Sequence, residues 1–406
     1  MSPSIEVPLN EPLINSLKSS TTNGLFQKDI AQGTNGTPYD SASAQVTATS
    51  MLAFNLPNPS LQVTADHTIK LVPSTPVPAF QPDQVLIHVR ATGICGSDIH
   101  FWKTGCIGSL RVEGDCILCH EAAGQILQVG SAVTDLKPGD RVALEPGVPC
   151  VYPHAGSAQR YKVHPAKWVH KIPDGLSYEQ GALLEPLSVV MHGISSCQRS
   201  LLGRGVSIHG AGPIGLVALA AARASGAHPI VITDVNEKRL EFAKIFVPGC
   251  KTYLIQKDLD DEGNAAGIRE LFAAGPKGAD GLWTNEYNAP DTVLECTGVE
   301  SSIITAAYTC RRGGTVMVIG VGKSIVNNLP FMHISLAEID LRFINRYRDT
   351  WPAGIMALSG GILDLDRLVT HRFPLERATE AMELVADPGR ESIKVMIVDD
   401  KVPVSL

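Results

Sequence analysis

Residues 116–124, CILCHEAAG, bring two thiols, an imidazole and a carboxylate into nine positions. Two chemistries fit them. As C-x-x-C-H the stretch matches the attachment signature of a c-type haem, with His120 as axial ligand. As a His-Glu pair followed by small residues, it offers His120 and Glu121 to one zinc ion. A catalytic zinc takes about three N, S or O side chains and keeps one position open. Two further donors stand elsewhere in the chain: Cys95 in TGICGSDIHFW (92–102), and Glu185 in LLEPLS, just before the periodicity changes. Singly, a Cys is usually core and a Glu usually surface. Together these are the donor types of a Lewis-acid site, which lowers the pKa of an alcohol so that hydride can leave carbon.

A hydride needs an acceptor, and GVSIHGAGPIGLVAL supplies the means to hold one. It contains G-x-G-x-x-G at Gly210, Gly212 and Gly215, after a strand pattern and at the start of a helix pattern, with Asp234 nineteen residues beyond the last glycine. That context turns a weak motif into a strong one. The glycines allow a tight turn and close approach of backbone to a pyrophosphate, at which the helix beginning near Pro213 and Ile214 points its N–H groups. Asp234 suits ribose hydroxyls and repels a 2′-phosphate, so NAD is expected rather than NADP. Arg239, about one helical turn past Asp234, is placed over the adenine.

The elements that must position these groups fall into two patterns. QVLIHVRATGI (84–94), AAGQILQVG (122–130) and RVALEP (141–146) read as short strands, with LKPGD (136–140) as a turn, which predicts an antiparallel, barrel-like domain. From 183–197, read as a helix, strands and helices alternate: strands 205–210, 229–234, 292–298 and 313–322, helices 213–226, 236–246 and 301–311. Alternation predicts a doubly wound parallel sheet. GGTVMVIGVG (313–322) is expected at its edge, and the end of 263–290 as a surface loop. The tail returns to mixed structure and ends in the strand SIKVMIVDD (392–400). The fold class expected is α/β, with the domains 51–187, 188–345 and 346–406, the last completing the first. Residues 1–50, rich in Ser, Thr, Asn and Gly, are expected to be disordered.

The 406 residues are 44% hydrophobic and 18% charged, a globular composition long enough for two domains. A net charge of −7 with no basic cluster argues against nucleic acid or anionic membrane as partners, and no apolar run reaches spanning length. Nine cysteines at irregular spacing, with no secretory pattern before them, predict a cytoplasmic protein with reduced thiols. That disfavours covalent haem.

The phrases GICGSDIHFW, CHEAAG, LKPGDRVALEPG, EQGALLEPLSV, GAGPIGL, ECTGVESS, RYRDTWP and LVTHRFPLE resemble the polyol branch of the zinc-dependent medium-chain dehydrogenases, from about residue 80 to 400. The resemblance implies a GroES-like barrel and a Rossmann domain. It also implies oxidation of a secondary alcohol of a polyol of the L-arabinitol, xylitol or sorbitol type, and a homo-oligomer, dimer or tetramer. By position it makes Cys95, His120 and Glu121 zinc ligands and Glu185 a ligand or the holder of the zinc's water. Ser97 becomes the hydroxyl that passes the alcohol's proton outward. Arg346 and Tyr347 contact polyol and cofactor, and Thr297 and Val321 join the cofactor residues. CILCH is then where the family writes Gly-His-Glu, with Cys119 replacing the glycine, and the haem match is accidental.

Two departures stand out. A Cys at position 119 is strained if that residue has positive φ. After EPGVPC (145–150) the family carries a lobe of clustered cysteines that often holds a structural zinc; here only Cys150 remains, so no structural zinc is expected and the pocket is more open. A second reading therefore keeps fold and nucleotide but turns the site to biosynthesis of a non-sugar metabolite. A third is a nucleotide-binding pseudoenzyme.

Overall fold

The computed structural model describes residues 57–79, 81–147, 154–279, 281–387 and 389–401. The stretch expected to be disordered, 1–50, lies outside these residues, and so does Cys150.

The first part is built from short strands. β1 (Ser60–Val63) pairs antiparallel with β2 (Ile69–Val72), and β3 (Gln84–Gly93) is the longest strand of the barrel. Helix α1 (Gly96–Thr104) follows β3 directly, and β4 (Cys106–Ile107) and β5 (Leu110–Arg111) form a small hairpin after it. β6 (Cys116–Ile117) joins β1, and β7 (Glu121–Val129) runs antiparallel to β3. β8 (Arg141–Leu144), β9 (Tyr161–Pro165) and β10 (Val169–Lys171) complete the local strands. Their sheet runs β10-β8-β7-β3, with β9 also on β3, and continues from β3 into β18 (Lys394–Val398) and then β17 (Val369–Pro374). The last two members come from the far end of the chain.

Two helices, α2 (Tyr178–Ala182) and α3 (Leu184–Ser196), lead into the parallel sheet. There β11 (Val206–His209), α4 (Pro213–Ala224), β12 (Ile230–Asp234), α5 (Glu237–Phe246), β13 (Lys251–Leu254) and α6 (Asp261–Glu270) alternate. The second half is β14 (Thr292–Glu295), α7 (Glu300–Thr309), β15 (Thr315–Val318), α8 (Phe331–Leu336) and β16 (Asp340–Phe343). The order β13-β12-β11-β14-β15-β16 has its reversal between β11 and β14, where a doubly wound sheet binds nucleotide. β11, β12, β14 and β15 are buried at every position, as strands covered on both faces are, and they bury Ser207, His209, Asp234 and Glu295 along with their apolar residues.

The edge assignment is corrected. GGTVMVIGVG supplies β15, which is hydrogen-bonded to β14 on one side and β16 on the other. The edge on that side is β16, whose sequence DLRF carries an Asp and an Arg, as exposed edges commonly do. Among the described residues, 263–290 opens inside helix α6 and continues as turns, with an isolated bridge between Lys277 and Trp283 and a single helical turn at Glu286–Asn288.

After α9 (Trp351–Ser359) come β17 (Val369–Pro374), α10 (Ala378–Ala386) and β18 (Lys394–Val398). β18 pairs antiparallel with β3 through Met396–Gly93, Ile397–Thr92 and Val398–Ala91. The C-terminal strand thus lies beside the end of β3 that leads to Cys95.

Candidate active site

Cys95 is the N-cap of α1. Asp98, in the first turn, is 1% exposed; its Oδ2 accepts the Cys95 N–H at 2.8 Å and its Oδ1 accepts the Cys119 N–H at 2.9 Å. One carboxylate therefore ties the two segments that carry Cys95 and His120. Cys119 has φ +67°, so the strain foreseen for a side chain at this position is present. Glu121 opens β7 and is paired with Gly93 of β3. A methyl group on Gly93 would stand 2.0 Å from Glu121 Oε2, so only glycine leaves room for the carboxylate.

Ligand atoms of Cys95, His120 and Glu121 lie within 4.8 Å of one another. A thiol, an imidazole and a carboxylate at that separation form a donor set for a zinc-type cation. Burial works against a charged His120, but its hydrogen bond to Cys95 and the charges of Cys95, Asp98 and Glu185 override that and push its pKa well up. Glu185 stands in the first turn of α3 and is buried. Burial, opposed by His120 and reinforced by Glu121, pushes its pKa up to about 7. Ser97 Oγ is buried without a hydrogen-bond partner, as an atom awaiting a ligand would be.

A residue missed in the sequence completes the pocket. Lys394 on β18, 3% exposed, donates from Nζ to both Glu121 oxygens at 2.7 and 2.6 Å and to Ile94 O at 3.1 Å. The signal was there: a lysine in SIKVMIV, a strand otherwise apolar, needs a buried partner.

Arg346 and Tyr347 follow β16. Arg346 has φ +58° and donates from Nη1 to Pro146 O at 3.1 Å, linking this segment to the EPG turn after β8. The Tyr347 ring meets Trp351 edge-on at 5.7 Å between centroids.

The glycine turn lies between β11 and α4. Gly210 has φ +99°, and a methyl group on Gly215 would stand 1.7 Å from Gly210 O, so the turn closes only with glycine at both. Gly212 caps α4, Pro213 occupies its first turn with Ile214, and Arg239 Nη1 lies 3.9 Å from where a Gly212 side chain would begin. Asp234 Oδ2 accepts the Ala211 N–H at 2.7 Å and Oδ1 the Asn236 N–H at 2.9 Å, which fixes the carboxylate at the turn. A second buried acid, Glu295, was also missed. It accepts from Thr297 N–H and Oγ1, from Gly298 N–H and from Ser302 Oγ, holding Thr297 across from Gly210. Gly298 in turn packs against Val321, whose side chain is exposed. A groove of about 480 Å³ between β10 and α9 includes none of these residues.

A doubly wound sheet with a glycine turn, beside a barrel carrying a thiol–imidazole–carboxylate cluster, defines a nucleotide-dependent dehydrogenase. Residues 81–174 match the alcohol dehydrogenase GroES-like domain and residues 213–360 the zinc-binding dehydrogenase family. The chain is 48% identical over 347 residues to L-arabinitol 4-dehydrogenase of Aspergillus oryzae, covering 80% of this chain and 88% of that protein. To sorbitol dehydrogenase of Mus musculus it is 39% identical over 363 residues, covering 84% and 95%. An Escherichia coli oxidoreductase/dehydrogenase of unknown specificity superposes with TM-score 0.72 at 30% identity, covering 84% of this chain and 99% of that one. The chain belongs to the zinc-dependent medium-chain dehydrogenases, in their polyol branch.

Proposed function

We propose that the protein oxidises a secondary alcohol of a polyol, of the L-arabinitol, xylitol or sorbitol type, to the ketose with NAD. The observation that carries this is the convergence of Cys95, His120 and Glu121 within 4.8 Å. Bound zinc supplies Lewis acidity toward an alcohol oxygen, and bound NAD a hydride acceptor. The chain's own residues do the rest. Cys95, His120 and Glu121 hold one catalytic zinc per chain, with Glu185 as a further ligand or as the holder of a water. Ser97 Oγ takes the alcohol proton and passes it outward. Arg346 and Tyr347 orient the polyol against the nicotinamide. Gly210, Gly212, Pro213, Ile214 and Gly215 cradle the pyrophosphate, Asp234 holds the ribose hydroxyls and Arg239 covers the adenine, with Thr297 and Val321 on the nicotinamide side. No structural zinc is included, because Cys150 alone cannot make a tetrahedral site.

The domains in this reading are 51–187, 188–345 and 346–406. The working form is a homo-oligomer joined at the β16 edge, where Phe343 is 67% exposed and α8 before it exposes Phe331, Met332 and Leu336. No described helix is long and apolar enough to cross a membrane, and a cytoplasmic location belongs to the same reading.

The test is NADH formation by the purified protein against a panel of pentitols and hexitols, alongside metal analysis. About one zinc per chain with turnover on a polyol supports the reading. Zinc and NAD binding with inactivity on every polyol favours a non-sugar substrate instead, which the missing lobe motivates. Absence of turnover on any alcohol leaves a nucleotide-binding pseudoenzyme.

A further inference from the structure

The segment carrying His120 has a neighbour that its sequence does not announce. Where the resemblance expects a cysteine-rich lobe, the chain passes from EPG at 145–147 to SAQRYKVHP at 157–165 by a short connection. The described end of that connection lies along the backbone just before His120. Gly156 N–H donates to Ile117 O at 2.8 Å, Ser157 N–H to Cys119 O at 2.8 Å, and Ala158 N–H to Leu118 O at 2.9 Å. The fit is tight. A methyl group on Gly156 would stand 2.1 Å from Leu118 O and 2.5 Å from the carbonyl oxygens of Cys119 and Ile117.

Lys162 on β9 secures the connection from the other side. It is 8% exposed, and its Nζ donates to Ala155 O at 2.6 Å and Gly156 O at 3.1 Å. Gln159 Nε2 adds a bond to Gly156 O at 2.9 Å. Burying an ammonium is unfavourable unless its donors are satisfied, so these carbonyls are held where the lysine needs them. The effect reaches the metal ligands by two further bonds. Cys119 is gripped at its carbonyl by Ser157 and at its N–H by Asp98, whose other oxygen accepts the Cys95 N–H. Cys119 is thereby kept at φ +67°, a backbone conformation that residues with a side chain adopt reluctantly. The direction of His120 depends on that turn.

We infer that residues 155–158 brace the metal-ligand segment, and that Lys162 is a positioning residue for His120 acting through Gly156 and Cys119. This rests on the zinc reading above.

The test compares wild type with Lys162→Met, Lys162→Arg and Gly156→Ala, each loaded with zinc or with cobalt. Three quantities are read: the rate of metal release to a chromophoric chelator, the visible absorption of the cobalt forms, and the unfolding midpoint of the metal-free forms. We expect Lys162→Met to release zinc roughly tenfold faster and to shift the thiolate–cobalt and ligand-field bands, as loss of an outer support does. Lys162→Arg should restore most of both, and Gly156→Ala should also release faster. A folded Lys162→Met protein with wild-type release and spectrum overturns the inference. So does one with a lowered metal-free midpoint and an unchanged spectrum, which is a merely structural role. If Lys162→Met does not fold, Gly156→Ala decides: wild-type release there overturns the brace. Wild-type protein that holds no zinc at all overturns the zinc reading itself, a distinct failure.

Discussion

The glycine turn and the donor pocket are built by opposite means. The turn is local: Gly210, Gly212, Gly215 and Asp234 fall within twenty-five consecutive residues, and backbone geometry does most of the work. The pocket is remote: Cys95, His120, Glu185 and Lys394 span three hundred positions and meet only because β18 returns to β3. A local site survives as a motif. A remote site depends on long-range pairing and on balanced buried charge, so it should be the more fragile under single substitutions.

The largest expected effect tests that fragility at the metal ligands. Cys95→Ala or His120→Ala should abolish zinc retention and lower kcat/KM by about 10⁴-fold, roughly 5 kcal/mol of lost stabilisation. Metal analysis with NADH formation checks it. A variant without zinc that still turns over would break the comparison at its centre.

Next is Lys394. Replacing it with Met leaves Glu121, 1% exposed, without its cation, at a cost of about 3–5 kcal/mol in denaturant unfolding. Removing Glu121 as well should return part of that loss, since the two residues act as one pair. Purely additive losses would show the contact to be energetically idle.

Much of this architecture was legible beforehand, and the exceptions have physical causes. The alternation of strands and helices, the glycine turn and the donor types could be read because each is periodic or contiguous. β13 (KTYL) and β16 (DLRF) were not read as strands, because four residues of mixed polarity carry no period. The inner strand β15 was mistaken for an edge, since uniform burial gives an apolar run that says nothing about how many neighbours the strand has. Asp98, Glu295 and Lys394 escaped for another reason: a charge in an apolar strand, as at Lys394, signals burial but does not name its partner, and no sequence spacing encodes a pairing between 121 and 394.

A third buried cluster extends the contrast to pH. Asp399 Oδ2 accepts from Arg160 Nε at 2.6 Å and lies 3.2 Å from His88 Nε2, directly after the strand that carries Lys394. Burial alone would raise its pKa, but the His88 and Arg160 bonds override it and hold the value at about 2. A carboxylate depressed in the fold contributes stability that is complete above about pH 4 and is lost as pH falls through about 2, here about 2 kcal/mol. Asp399→Asn should remove that slope from acid unfolding curves. An unchanged slope would show the cluster to be uncoupled from folding.

At the turn the effects should be smaller. Asp234→Ala removes the acceptor for Ala211 and Asn236, and is expected to raise KM for NAD about tenfold while narrowing the preference over NADP. Zinc content should not change, because the carboxylate belongs to the local site alone. Loss of zinc in this variant would mean that the two regions are coupled.

The smallest effect sharpens the comparison most, because it sets local strain against the remote pocket at one residue. Cys119 is fully buried and left-handed, next to His120. Cys119→Gly relieves a conformation that costs a side-chain-bearing residue about 1–2 kcal/mol. Against this, glycine gives the unfolded chain more freedom, about 0.5–1 kcal/mol, and the buried sulfur's contacts are lost. The balance should lie within about 1 kcal/mol of zero by denaturant unfolding. Zinc release should stay at the wild-type rate, because Asp98 and Ser157 hold residue 119 by its backbone N–H and C=O, which glycine keeps. A marked loss of zinc on this change would instead make the Cys119 sulfur a partner of the metal, and the donor set would have to be redrawn around two thiols.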